Sequence, residues 1–110
     1  MGKLIFAWDF HCGSILNRYH QAFAERDFIF SAELPLKPNM SAPDVIADAQ
    51  LLYENVDGII LTDNQYGSTH MSTTAAASLL LGSAIDPILQ LSCRNRNRTA
   101  LISELLGARA

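Results

Sequence analysis

The sequence predicts an α/β fold built as a row of parallel βα units, and three observations lead there. Residues 28–35, 57–64 and 87–93 are apolar runs of β-forming side chains that each turn polar at the end, at Glu33, at Thr62-Asp63-Asn64 and at Ser92. Glu33, Thr62 and Ser92 stand 29 and 30 residues apart, close to the roughly 30 residues of a βαβ unit. Between the runs lie segments with helical apolar spacing and helix-start residues.

Composition narrows the classes. A chain of 110 residues makes at most one domain, and 49% hydrophobic with 17% charged residues is the balance of a globular protein. The formal charge of −3 provides no general attraction to nucleic acid or anionic membrane. Cys12 and Cys93 fit neither a CxxC redox pair nor zinc-ligand spacing, so reduced structural thiols and a cytoplasmic location are expected. Lys3 precedes an apolar run that Asp9 interrupts, a poor signal-peptide core, and no run reaches the roughly 18 to 20 apolar residues of a membrane span. His11, His20 and His70 lack ligand spacing, which argues against a metal site. Trp8 is expected to pack or to anchor an interface.

In chain order, residues 1–13 form an extension of uncertain structure in which residues 4–10 are a candidate short strand, ended by His11-Cys12-Gly13. Ser14 can cap a helix to about Arg26, with Ile15, Leu16, Tyr19, Ala22 and Phe23 at helical spacing. After the first strand, Ser41-Ala42-Pro43-Asp44 is a helix start: Ser41 can accept from first-turn amides, proline is tolerated there, and Asp44 answers as the acidic member of a capping-box pair. Val45, Ala49 and Leu52, with Ile46 and Tyr53 beside them, form the stripe expected on the sheet. Asp57-Gly58 ends that helix and opens a strand whose Ile59-Ile60-Leu61 run suits burial on both faces. A polar loop over residues 65–70 precedes a helix that begins at Ser72 or Thr73 and stops at Gly82. The third strand follows Pro87, and the last helix runs from the Asn97 cap to about Leu106 with Gly107 at its end.

Strand alternation puts Ile29, Ser31 and Glu33 on one face, with Gly58, Ile60 and Thr62, and Ile88, Gln90 and Ser92, as the matching sets. If the strands are parallel, Glu33, Thr62, Gln90 and Ser92 converge at their C-terminal ends, where ligands of such sheets bind. Thr62, Asp63 and Asn64 are equally consistent with the start of a turn. Arg94, Arg96 and Arg98 alternate with asparagine and read as a solvated surface, without the interleaved aromatics that stack bases.

Three ordered stretches, Phe30-Ser31-Ala32-Glu33-Leu34-Pro35, Val56-Asp57-Gly58 through Leu61-Thr62-Asp63-Asn64, and Gln90 through Arg98 with Ser103-Glu104-Leu105-Leu106-Gly107, resemble the first part of the methylenetetrahydrofolate reductase family. The match looks most like the subgroup with a TDN second strand and a CRDRNR third, and covers residues 14–110. It implies a partial (β/α)8 barrel of three parallel strands alternating with helices, preceded by an N-terminal helix. It also implies FAD as cofactor, a reduced nicotinamide or another donor as electron source, and methylenetetrahydrofolate as the folate substrate reduced to methyltetrahydrofolate. By resemblance Glu33 matches the general acid that helps open the folate ring. Such an acid works near neutral pH only when burial or a negative neighbour raises its pKa. Thr62, with Asp63, matches the flavin-contacting position on strand two. Gln90 falls where many members carry a flavin-contacting histidine, and Asn95 stands where the subgroup has aspartate. Three units of eight are expected not to turn over alone, since a full barrel takes about 250 residues. A non-enzymatic α/β module that oligomerises or docks to a complementing chain through an open sheet edge is the alternative.

Overall fold

A computed structural model describes residues 18–64 and 67–110 of the chain. The elements alternate in order: α1 (Arg18–Glu25), β1 (Ser31–Leu34), α2 (Ala42–Tyr53), β2 (Gly58–Leu61), α3 (Thr73–Gly82), β3 (Pro87–Leu89) and α4 (Arg98–Arg109). The three strands form one parallel sheet in the order β1-β2-β3, with Leu34 opposite Leu61 and Leu61 opposite Leu89. The α/β class and the parallel alternation are therefore as expected. The candidate strand over residues 4–10 and the helix start at Ser14 lie outside the described residues.

Local chemistry explains the helix starts. Ser41 accepts from the Asp44 N–H while the Asp44 carboxylate accepts from the Ser41 N–H at 2.9 Å, the reciprocal bonds of a capping box. Ser72 caps α3 through Ala75 N–H, and Asn97 caps α4 through Ala100 N–H at 2.9 Å. Gly107 does not end α4, which continues to Arg109. One glycine costs a helix about 1 kcal/mol relative to alanine, less than is needed to stop a helix that has not otherwise ended.

The core lies on one face of the sheet. Leu34, Ile59 and Leu61 point to it from the strands, and Val45 and Ala49 of α2 with Ala76, Ala77 and Leu80 of α3 close it. Leu34, Val45, Ile59, Leu61 and Leu80 are almost wholly buried, each worth roughly 1.5–3 kcal/mol of transfer free energy. α2 bridges β1 and β2, and α3 bridges β2 and β3.

The opposite face carries α1. A Cβ built on Gly58 would stand 2.6 Å from Tyr19 Cδ2 and 2.8 Å from Ile88 Cδ1, so the absence of a side chain lets α1 approach the sheet at the N-terminal end of β2. Arg18 lies 4.4 Å from the Tyr53 ring centroid, a cation–π contact that ties α1 to the end of α2.

Asp57 is a lock at that same end of the sheet. Its N–H donates to Phe30 O at 2.7 Å, its Oδ2 accepts from Phe30 N–H at 3.1 Å, and Arg26 pairs with Oδ1 at 2.5 Å. The residue read as a helix end thus fixes the approach of β1 to β2. None of the described helices is long and apolar enough to cross a membrane.

Candidate functional site at the strand tips

The C-terminal ends of the three strands lie together because the sheet is parallel and in register. Across the face opposite the core, Glu33 is aligned with Ile60 and Ile60 with Ile88. Strand alternation puts Thr62 and Gln90 on that face one step further along. Glu33 is exposed, and Ile60, Thr62, Ile88 and Gln90 are half-buried. Two isoleucines bordered by a carboxylate, a hydroxyl and an amide make a strip apolar in its middle and polar at its rim. β3 ends at Leu89, but Gln90 N–H still donates to Leu61 O at 3.0 Å, so the Gln90 backbone stays in line with the sheet.

Asp63 holds the tips in place. Its side chain is fully buried, and its Oδ2 accepts from Ser92 N–H at 2.9 Å and from the Arg96 guanidinium. Its Oδ1 accepts from the Asn64 amide at 2.9 Å. Arg96 also donates to Ser92 O at 3.2 Å. One carboxylate on the loop after β2 thereby fixes the loop after β3. Burial alone would raise the Asp63 pKa; the Arg96 hydrogen bond, the Ser92 N–H and the charge of Arg96 outweigh it and hold the carboxyl below its ordinary value. The Arg96 pKa is raised, chiefly by its hydrogen bond to Asp63.

Beyond Asp63 the chain turns sharply. Asn64 has φ +42°, the left-handed region in which asparagine is among the better-tolerated residues. Its N–H donates to His70 Nε2 at 3.0 Å, and the other ring nitrogen lies 2.6 Å from Met71 O. The two contacts together select the tautomer with hydrogen on Nδ1.

The parallel sheet brings Glu33, Thr62, Asp63 and Gln90 to the same end. It divides them, however, between a rim that faces outward and a bracket that is used up internally. Asp63 belongs to the bracket, with both carboxylate oxygens engaged. Arg96 corrects the expectation of three solvated arginines. Its side chain is only 14% exposed, because a buried aspartate needs a partner, while Arg94 and Arg98 are exposed as expected. Sequence reasoning missed Arg96 and His70. The available signal was an acidic residue at the end of a near-continuous apolar strand, which predicts a buried carboxylate and hence a cation elsewhere.

Among the described residues no cluster of three or more His, Cys, Asp or Glu could hold a metal ion. Cys93 is a free, exposed thiol. An open cleft with a volume near 410 Å³ is lined by Lys37, Pro38, Asn39 and Met40 of the loop between β1 and α2 and by Asp44 and Asp48 of α2.

Fold and rim together define a parallel α/β protein whose strand tips bring Glu33, Thr62 and Gln90 to one end of the sheet. The chain matches no protein-family model, no curated protein and no solved structure.

Proposed function

We propose that the strand tips are a flavin- and folate-facing surface of the methylenetetrahydrofolate reductase kind, part of a (β/α)8 barrel whose remaining units lie outside this chain. The observation that carries the reading is the alignment of Glu33, Ile60 and Ile88 across one face, with Thr62 and Gln90 beyond them. A flat ring system with polar edges fits such a strip, since its faces want apolar contact and its edges want hydrogen bonds. The described residues are therefore compatible in chemistry with an isoalloxazine ring, with Thr62 and Gln90 as the groups to hold its edge. FAD, when bound, supplies the hydride.

The chain's own residues would bind and orient. Glu33 would hold the proton delivered to the folate ring nitrogen, a role that requires shelter from bulk water. Glu33 is exposed, so that shelter must come from stacked ligands or from a neighbouring βα unit. Asp63 and Arg96 would act as positioning residues, since they bond the backbone that carries the rim.

The test is visible absorbance of the purified chain with added FAD, alone and after Thr62→Val with Gln90→Leu. The expected result is a shifted, protein-perturbed flavin spectrum that the double variant loses. A chain that leaves the free-flavin spectrum unchanged at high concentration overturns the reading.

A further inference from the structure

Among the described residues, neither outer strand of the sheet, β1 or β3, has a neighbour on its outer side. α2 covers the β1–β2 junction and α3 the β2–β3 junction. By the same step α4, which follows β3, would cover the junction of β3 with one more strand, and among the described residues no strand stands there. Ile102, Leu105 and Leu106 share a face of α4 at i, i+3, i+4 spacing and are 47%, 44% and 62% exposed. At the other side of the sheet, the outer edge of β1 likewise has no described neighbour. Phe30, 62% exposed and stacked edge-on to Phe28 at 4.9 Å, precedes β1 in phase with Leu34, on the face that the helices cover.

The two sides complement each other in charge as well. The C-terminal end of β1 carries Glu33, the loop after β3 carries Arg94 and the start of α4 carries Arg98, all exposed. In parallel pairing, strand tips lie at the same end, so β1 of a second copy placed beside β3 would bring its Glu33 toward Arg94 and Arg98. The same placement would bring Phe30 of that copy under the apolar face of α4. We infer that the chain associates head to tail with a second copy of itself, β1 of one copy adding in parallel to β3 of the next. The contact is heterologous, so an open assembly keeps one unused side at each end until a ring closes.

The inference does not depend on flavin or folate, and its test uses neither. Sedimentation of the full chain over a concentration series should show a mass rising above the 12.1 kDa monomer. Glu33→Arg makes both sides basic, and Arg94→Glu with Arg98→Glu makes both acidic. Each variant alone should associate about tenfold more weakly or worse, because like charges then meet at every contact. An equimolar mixture of the two should associate again, because every mixed contact is once more of opposite sign. Leu106→Ser should weaken association without changing the circular dichroism of the fold. A wild-type chain that stays monomeric throughout, an association indifferent to the charge variants, or a mixture that fails to recover would each overturn the proposal.

Discussion

Asp63 is the residue on which the geometry of the tips turns. Its carboxylate satisfies a backbone N–H from the loop after β3 and a guanidinium from the start of the next unit. Such a pair adds modestly to stability compared with an apolar alternative, but breaking it strands a buried charge. Arg96→Ala is therefore expected to cost about 3 kcal/mol in urea unfolding, as for other broken buried pairs. Arg94→Ala should stay within about 0.5 kcal/mol, as an exposed substitution does. Adding Asp63→Asn to the Arg96→Ala chain should recover part of the loss, because the stranded charge is gone. No recovery would mean that Arg96 acts through packing of its stem rather than through its charge.

Among the elements, the seating of α1 depends on Gly58. Any side chain there meets Tyr19 and Ile88 at less than contact distance, and both sit on the face opposite the core. Gly58→Ala is expected to destabilise by about 1–3 kcal/mol, the usual range for overpacking. Combined with Tyr19→Ala, the added cost of the glycine change should fall, and a double-mutant cycle by chemical denaturation measures the coupling. Additive costs would show that the strain falls on Ile88 or the strand backbone instead. Asp57 acts on the same end of the sheet from the other side, through its paired bonds to the Phe30 backbone.

For the whole molecule, two carboxyls, the buried Asp63 and the half-buried Asp86, give the pH dependence of stability opposite signs. The Asp86 pKa is raised by burial, an effect that the charge of His20 only partly offsets. The folded state therefore binds a proton there before the unfolded chain does, and stability rises as pH falls through that raised value. The Asp63 pKa is lowered, so its contribution is complete above the ordinary carboxylate value of about 3.9 and is lost as pH falls through its folded value. Thermal unfolding across pH should show Asp86→Asn removing the rise on mild acidification while leaving the loss in stronger acid. If wild type and Asp86→Asn follow parallel curves, the Asp86 carboxyl is more open to water in solution than it is here.

The strands, the helices and their parallel order were legible in the sequence because each rests on local chemistry. Alternation marks Ser31 to Leu34, continuous β-branched residues mark β2, and Ser41 with Asp44 marks a helix start whatever surrounds it. The convergence of Glu33, Thr62 and Gln90 at one end was legible too, since a βα repeat near 30 residues makes parallel strands point the same way. What lay outside its reach depends on residues distant in the chain. That Asp63 would be consumed by Ser92 and Arg96, that Arg96 alone of three alternating arginines would be buried, and that Gly58 marks the approach of Tyr19 are pairings across about 30 or more residues. Local propensity carries no information about them, because burial and charge compensation are properties of the packed sheet and not of any one segment.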